Sequence, residues 1–302
     1  MSSICKQSPS TISLVVLLLP FLTYLLLRTT SISISFDHPS VTDFVGPVTV
    51  KPDFRLLIGI LTHPDNFERR HLLRLVYSLQ SSLTADIDIR FVFCKLTNQE
   101  QSLVVSLEIM RYDDIIILNC TESMNFGKTY DYFSSLPELF DDRRYDYVMK
   151  MDDDTYFRLD NLVESLKNKS REDMYYGLII PCDGENFPPF PAPFMTGMGY
   201  ILSWDLVEWI ATSEIARNES IGPEDMMVGK WLSMGNKGKN RHGTEPDMYD
   251  YKGSYPSNCF RHELVPDTIA VHLLKNNSWW ARTLKYFNVT DGLKPSKLYH
   301  VL

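Results

Sequence analysis

The chain has 302 residues, enough for one large domain with an appendage. Its net charge of -8 at pH 7 argues against a general nucleic-acid-binding surface. An anionic ligand would need local cations here, either a metal ion or selected lysines and arginines.

The N-terminal part carries a nearly uncharged apolar run, Thr11 to Leu27. It is at the lower limit for a transmembrane helix, roughly 17 residues, and membrane helices tolerate a kink such as Pro20 would cause. A cleaved signal peptide is the alternative, but no A-x-A-like site follows. We therefore favour an uncleaved signal anchor at 11–27, with a cytoplasmic tail at 1–10, a Ser/Thr/Val/Pro-rich stem at 28–52 and a luminal domain at 53–302.

N-x-S/T sequons all follow this run, which agrees with a luminal body. Their asparagines are Asn119, Asn168, Asn218, Asn276 and Asn288. Cys94, Cys120, Cys182 and Cys259 also follow the run and could form disulfides in more than one connectivity. The alternative is that Cys94 and Cys120, at apolar strand ends, are buried thiols. No C-x-x-C pair supports a zinc or thioredoxin-like site.

The first half of the body alternates between predicted strands and helices. Strands are predicted at Phe54–Thr62, Asp88–Leu96, Asp114–Cys120 and Tyr145–Met151, and helices at Phe67–Tyr77, up to about Met110, and from about Gly127. This alternation favours a parallel, Rossmann-like sheet. A dinucleotide fingerprint is absent, since no G-x-G-x-x-G follows the first strand.

The second half is less regular. Helices are predicted at Leu159–Lys167, at Asp205–Ser213 and from Gly222 to about Met234, and strands at Tyr175–Ile180, Phe194–Trp204 and Thr268–Leu274. Pro181 to Pro193 is predicted to be a rigid proline-rich loop, and Asn236 to Cys259 is polar and glycine-bearing.

Three consecutive carboxylates, Asp152, Asp153 and Asp154, end the strand at Tyr145–Met151. Acid clusters are often solvated loops, but this one lies within apolar and aromatic sequence. It lacks the spacing of an EF-hand. Because Mg²⁺ and Mn²⁺ prefer carboxylate oxygens and bridge them to phosphates, the motif indicates a metal site at a strand end, where ligands bind in open α/β sheets.

The acid motif resembles the DxD motif of GT-A glycosyltransferases, and in particular the β-1,3-galactosyltransferase-like family, glycosyltransferase family 31. Further segments resemble that family in register from Phe54 to Leu274. They are Arg70–Arg74, Tyr112–Ile115, Glu122–Thr129, Gly197–Ser203 (G-x-G-Y-x-L-S) and Glu224–Gly229 (E-D-x-x-x-G). Departures from the family pattern are Val76-Tyr77, where Thr-Trp is common, and Met226.

The resemblance implies a GT-A fold, α/β with a Rossmann-like, mixed, mostly parallel sheet behind the anchor. It implies an inverting enzyme that moves a hexose from a UDP-sugar to an acceptor glycan or glycoprotein, with galactose favoured, N-acetylhexosamine possible and a β-1,3 linkage expected. Mn²⁺ or Mg²⁺ would be held by Asp154, Asp152 and His272. His242 and His262 are rival ligands, and His272 could instead be a core residue.

The same resemblance makes Asp225 the general base and Glu224 a structural or acceptor-orienting residue. Both acids are also normal at a helix start after Pro223, where they favour the helix dipole. Residues predicted to contact the donor are Arg70, Arg74, Lys128, Asp152, Asp153, Gly197 and Gly199. The loop from Phe187 to Phe194, Trp279 and Trp280 could stack on a sugar, although docking of the tail is the simpler interpretation for the two tryptophans.

These features together predict a single-pass type II protein of the Golgi or ER membrane with a luminal catalytic domain and no nucleic-acid partner. Two other classes stay open. A catalytically degenerate family member would bind a glycan or a partner protein, and a luminal metal-dependent phosphoesterase would need a second cluster of His and Asp ligands.

Overall fold

The computed structural model describes residues 51–80, 84–183 and 187–291. The predicted cytoplasmic tail, the anchor at 11–27 and almost all of the stem lie outside these residues. Within them, every helix is too short or too polar to cross a membrane.

The main sheet has seven strands in the order β3-β2-β1-β4-β7-β6-β8. They are β1 (Phe54–Leu61), β2 (Ala85–Cys94), β3 (Ile115–Leu118), β4 (Tyr147–Asp152), β6 (Met174–Ile180), β7 (Phe194–Ser203) and β8 (Asn240–Gly243). Strands β1 to β4 run parallel, whereas β7 runs antiparallel to both β4 and β6. The predicted mixed, mostly parallel α/β sheet is confirmed.

A second sheet of four short strands lies in the order β10-β9-β11-β5. These strands are β5 (Tyr156–Phe157), β9 (Met248–Tyr251), β10 (Arg261–His262) and β11 (Ala270–His272). The polar stretch from Asn236 to Cys259 contains β8 and β9, which its composition does not predict. Parallel pairing of β9 with β11 places His272 opposite Asp250.

Helices flank the sheets. They are α1 (Phe67–Ser78), α2 (Gln99–Tyr112), α3 (Lys128–Leu139), α4 (Leu159–Leu166), α5 (Trp204–Thr212), α6 (Glu214–Asn218), α7 (Glu224–Met234) and α8 (Asn277–Tyr286). Helix α8 is missing from the sequence-based prediction. It is capped at its start by the Asn276 side chain, which accepts from the Trp279 amide.

Both faces of the main sheet are buried, each in its own apolar core. In β1, Leu56, Ile58 and Ile60 belong to one core, whereas Leu57 and Leu61 belong to the other. Side chains alternate between faces along a strand, so a continuous apolar run is what a sheet covered on both sides requires.

Strand order places a ligand crevice beside β4. The chain runs outward from β1 to β2 and β3 and then returns to β4 on the other side of β1. The connections that follow β1 and β4 therefore leave the same edge of the sheet at the point where the order reverses, which is where open α/β sheets bind ligands. The three acids lie there, beside the β1–α1 loop.

The four cysteines of the body form two disulfides, Cys94–Cys120 and Cys182–Cys259. The interpretation of Cys94 and Cys120 as buried thiols is therefore wrong. The first bond joins the end of β2 to the segment after β3, and the second joins the loop after β6 to the segment before β10.

The sequon asparagines are exposed on the described surface: Asn119, Asn168, Asn218, Asn276 and Asn288. Their exposure permits glycosylation, which stays a prediction. Asn119 is accessible even though it precedes a disulfide-bonded cysteine.

Candidate active site

Two of the three acids meet a histidine from the second sheet. Asp152 ends β4, Asp154 lies in the turn after it, and His272 ends β11. The His272 Nε2 atom lies 3.3 Å from Asp154 Oδ1 and 3.6 Å from Asp152 Oδ2. One ligand atom from each residue lies within 4.8 Å of the other two, and no other such group of His, Cys, Asp and Glu occurs in the described ranges.

The donor set of this cluster fits a hard or borderline divalent cation, because carboxylate oxygens with one imidazole suit Mn²⁺ and tolerate Mg²⁺. His272 Nδ1 lies 2.8 Å from Asp250 Oδ1, an arrangement that typically orients an imidazole toward a metal. Asp250 is absent from the sequence-based prediction, since only strand pairing brings it to His272.

The rival histidines lie elsewhere. His262 is engaged with the carbonyl oxygens of Glu263 and Pro246, and His242 lies in β8 at the edge of the main sheet. Of the three candidates, only His272 reaches the acids.

Charge pairing sets the protonation of the cluster. Burial acts to lower the pKa of His272, but the contacts with Asp154 and Asp250 outweigh it and raise the pKa to about 9. Burial acts to raise the pKa of Asp154, yet His272 and Lys275 hold that pKa well below its usual range. Without a metal, the site thus holds an ionised Asp154 beside a cationic imidazole.

Lys150 is a buried cation at the centre of the site. Its Nζ donates to Asp152 Oδ1 at 2.7 Å, to Glu224 Oε1 at 2.6 Å and to the Gly197 carbonyl at 2.8 Å. Burial lowers the pKa of Lys150, but Asp152 and Glu224 together raise it above its ordinary value. A lysine inside an otherwise apolar strand is the sequence signal that could have identified it.

Glu224 faces inward, toward Lys150. Its second oxygen accepts from the Tyr200 hydroxyl at 2.9 Å and from Thr129 at 3.4 Å. Burial raises the pKa of Glu224 to about 7, against the opposing effect of Lys150. Both oxygens are engaged within the protein, so the structural role predicted for Glu224 fits this geometry, and its acceptor-orienting role stays a prediction.

Asp225 lies beside Gly197 at the start of α7. Its Oδ2 accepts from the Gly197 amide at 3.1 Å, and its Oδ1 accepts from the Met226 amide at 2.8 Å. Gly197 therefore contacts Asp225 through its amide and Lys150 through its carbonyl. A Cβ at Gly197 would lie 2.6 Å from Glu224 Oε1, so the missing side chain is what lets these groups meet.

Two open clefts border the acids. One, of about 360 Å³, lies between the loops that follow β1, β3 and β4 and is lined by Thr62, Glu122, Lys128 and the three acids. The other, of about 800 Å³, lies between α1 and α8. They share Asn66, Asp153, Asp154 and Lys275 as lining residues.

Asp153 and Lys128 lie at these clefts but have protein partners. Asp153 Oδ2 accepts from Thr62 at 2.6 Å and from Asn66 at 2.9 Å, so it fixes the β1–α1 loop. Lys128 is buried against Glu122 and the Thr62 carbonyl, and burial lowers its pKa. Both line the smaller cleft, where contact with a donor remains a prediction.

Arg70 and Arg74 lie elsewhere than predicted. Arg70 is fully buried and makes a two-pronged contact with Glu108, and Arg74 bonds to Glu108 and Asp114. These contacts join α1 to α2 and to the start of β3. Their guanidinium groups pair with Glu108 of α2 and with Asp114, which follows α2, rather than with the acids of the candidate site.

Gly199 also differs from its prediction. A Cβ there would lie 2.6 Å from a ring carbon of Phe157 and 2.7 Å from the Met149 Cε. The close approach at Gly199 is core packing, not contact with a donor.

The aromatic residues divide between core and surface. Trp280 is buried edge-on against Tyr156, and Trp279 packs on Tyr251, so the tail docks as predicted. In the proline-rich loop, Phe187 packs against Phe190 and Phe260. Stacking of that loop on an acceptor sugar stays a prediction.

Comparison with known proteins supports the motif analysis. Residues 68–187 match the family model described as galactosyltransferase. The chain is 26% identical to beta-1,3-galactosyltransferase pvg3 of Schizosaccharomyces pombe over 74% of this chain and 72% of that protein. It is 23% identical to hydroxyproline O-galactosyltransferase GALT2 of Arabidopsis thaliana over 68% of this chain and 33% of that one.

A third relative is UDP-GalNAc:beta-1,3-N-acetylgalactosaminyltransferase 2 of Xenopus laevis, 25% identical over 45% of this chain and 30% of that protein. The chain thus spans about a third of the plant and frog proteins. The resemblance drawn from the motifs is confirmed: residues 68–187 match the galactosyltransferase family model, and the chain is similar to β-1,3-galactosyltransferases.

Proposed function

We propose that this protein is a metal-dependent, inverting GT-A glycosyltransferase that moves a hexose from a UDP-sugar to an acceptor glycan, forming a β-1,3 linkage. The observation that carries the proposal is the cluster of Asp152, Asp154 and His272, which Lys150 and Gly197 connect to Asp225. A metal-dependent, inverting hexosyltransferase needs a cation site and a proton acceptor near each other, and these residues are the candidates for the two roles.

The donor would lie in the smaller cleft, with its diphosphate toward the acids. Asp152, Asp154 and His272 would hold the cation, and Asp250 would orient His272. When bound, a divalent cation would offset the negative charge that builds on the leaving diphosphate. Lys150 would hold the Asp152 carboxylate in place through its 2.7 Å hydrogen bond.

Asp225 would act as the general base. As the acceptor oxygen forms its bond to the anomeric carbon, the hydroxyl proton passes to an Asp225 oxygen, and the bond from the sugar to the diphosphate breaks to release UDP. The Gly197 amide, 3.1 Å away, would fix the carboxylate that receives the proton.

Galactose is the proposed sugar, because relatives are named as galactosyltransferases, with N-acetylhexosamine as the alternative. The acceptor would be a glycan or glycoprotein. We place the protein in the Golgi or ER membrane as a single-pass type II protein, on the strength of the apolar run at 11–27 and the exposed sequons.

The test is UDP release from a panel of UDP-sugars, with and without a mixture of acceptor glycans. We expect turnover of one donor with Mn²⁺, and its loss both in EDTA and in Asp225→Asn. Asp225→Asn should still bind UDP with Mn²⁺, because Asp225 is not a member of the metal cluster.

Metal-dependent UDP binding by the wild-type protein without turnover of any donor on any acceptor would contradict the transferase and support the degenerate binding protein. Phosphate release from simple esters would instead support the phosphoesterase.

A further inference from the structure

Lys275 is an exposed cation that contacts Asp154, one of the proposed metal ligands. It lies in the connection between β11 and α8, and its Nζ contacts Asp154 Oδ2. The lysine side chain is 62% exposed, whereas that of Asp154 is 6% exposed. His272 contacts the other oxygen of Asp154, Oδ1. The buried carboxylate therefore has an ammonium at one oxygen and an imidazole at the other.

The backbone near Lys275 is fixed while its side chain reaches into solvent. The Leu274 amide donates to the Asp154 carbonyl at 2.9 Å, and Arg69 donates to the Leu274 carbonyl at 3.0 Å. The side chain has Asp154 as its ion-pair partner in the described residues. Its ammonium can therefore leave Asp154 without any change in the chain path.

Lys275 also lies where the two clefts meet, since it lines both. The other cations at these clefts are committed to the protein: Lys128 is buried against Glu122, and Arg69 bonds to the carbonyls of Leu274 and Lys275. An ammonium displaced from Asp154 would enter the space beside the metal, where a diphosphate bridged to that metal would lie.

We propose that Lys275 has two positions: in the metal-free protein it neutralises Asp154 in place of the divalent cation, and with metal bound it pairs with a phosphate oxygen of the nucleotide donor. This inference rests on the proposed function. It makes Lys275 a competitor of the metal and a positioning residue for the donor diphosphate. Removing the lysine should therefore strengthen metal binding and weaken nucleotide binding.

The experiment is calorimetric titration of the purified full chain and of Lys275→Met, first with Mn²⁺ alone and then with UDP at saturating Mn²⁺. We expect Lys275→Met to bind Mn²⁺ about tenfold more tightly, because the competing ammonium is gone, and UDP about tenfold more weakly, because a charge-assisted hydrogen bond is lost. Lys275→Arg should restore the UDP affinity.

The matched control is Lys167→Met, which removes a surface lysine whose Nζ pairs with Glu164 at 3.5 Å on α4. It should leave both affinities unchanged. Thermal unfolding in EDTA checks folding: Lys275→Met should melt lower than wild type there and equally at saturating Mn²⁺, since only the metal-free cluster needs the lysine.

Mn²⁺ affinity that is unchanged or weaker in Lys275→Met would overturn the proposal, and so would unchanged UDP affinity. Either result differs from failure of the proposed function itself, in which the wild-type chain would show no Mn²⁺-dependent UDP binding.

Discussion

At the scale of single residues, Lys150 is the cation that pairs with Asp152 and Glu224 in the candidate site. One buried ammonium thus pairs with two carboxyl groups, Asp152 of β4 and Glu224 of α7. Removing one partner of a buried ion pair is costly, because the remaining charges stay buried without compensation.

Lys150→Met should therefore lower the free energy of unfolding by about 3–5 kcal/mol. Urea denaturation measures it, with Lys167→Met as the surface control. Adding Glu224→Gln to Lys150→Met should recover part of the loss, because one of the two unpaired carboxylates is removed. A loss no larger than that of the control would show that Lys150 does not have this role.

His272 predicts a pH dependence for the metal-free protein. Its pKa rises from an ordinary value of 6.5 to about 9 in the folded state. The folded state thus binds the proton more tightly, so the stabilisation is complete below about pH 6.5 and is lost as pH rises to about 9. Metal affinity should rise over the same window, because a ligating imidazole must lose its proton.

In EDTA, wild type should exceed His272→Gln in unfolding free energy by on the order of 2–3 kcal/mol at about pH 6, and this excess should disappear by about pH 9.5. Denaturant titrations at the two pH values measure the difference. An excess that grows with pH would reverse the sign and contradict the protonation of His272 described above.

At the scale of elements, strand β7 carries two glycines of different purpose. Gly197 contacts the site, and Gly199 packs against Phe157 and Met149 in the core. In the G-x-G motif, the first glycine therefore leaves room for the side chains of the candidate site, and the second leaves room for the core. The sequence alone does not distinguish these two roles.

Gly199→Ala should lower the free energy of unfolding by about 1–3 kcal/mol, because its Cβ overpacks the core. Gly197→Ala should instead reduce turnover more than stability, because its Cβ would press on Glu224 and Lys150. Paired urea denaturation and UDP-release assays separate the two effects. The same ratio of stability loss to activity loss in both variants would refute this division of roles.

At the scale of the whole molecule, the sequence predicts the strands and helices of the main sheet. It does not predict the side-chain contacts between residues far apart in the chain. The apolar runs of β1 and β4 predict a sheet buried on both faces, and the alternation of strands and helices predicts its parallel half. Asp250 and His272 meet only because β9 pairs with β11, which no local pattern in the polar segment before Cys259 indicates.

The prediction that Arg70 and Arg74 contact the donor does not fit the structure, for a related physical reason. Arg70 and Arg74 have the helical spacing of an exposed basic face, but α2 covers that face with Glu108 and α2 is followed by Asp114. Tertiary burial, not helical periodicity, decides what these side chains contact.

The disulfides give a prediction for the whole fold. Cys94–Cys120 spans 26 residues, and Cys182–Cys259 spans 77. If a disulfide acts mainly by restricting the unfolded chain, replacing the Cys182–Cys259 pair with serines should cost about 1 kcal/mol more than replacing Cys94–Cys120, within a range of about 2–4 kcal/mol. Urea denaturation of both double variants measures this, and the opposite order would contradict the chain-entropy explanation here.

The most direct measurement of the central claim is Mn²⁺ binding by wild type, Asp154→Asn and Asp153→Asn. Asp154 belongs to the cluster with His272, whereas its neighbour Asp153 bonds to Thr62 and Asn66 instead. We predict one Mn²⁺ site in wild type and in Asp153→Asn, and its loss in Asp154→Asn. Equal binding by all three proteins would contradict the metal site on which the account depends.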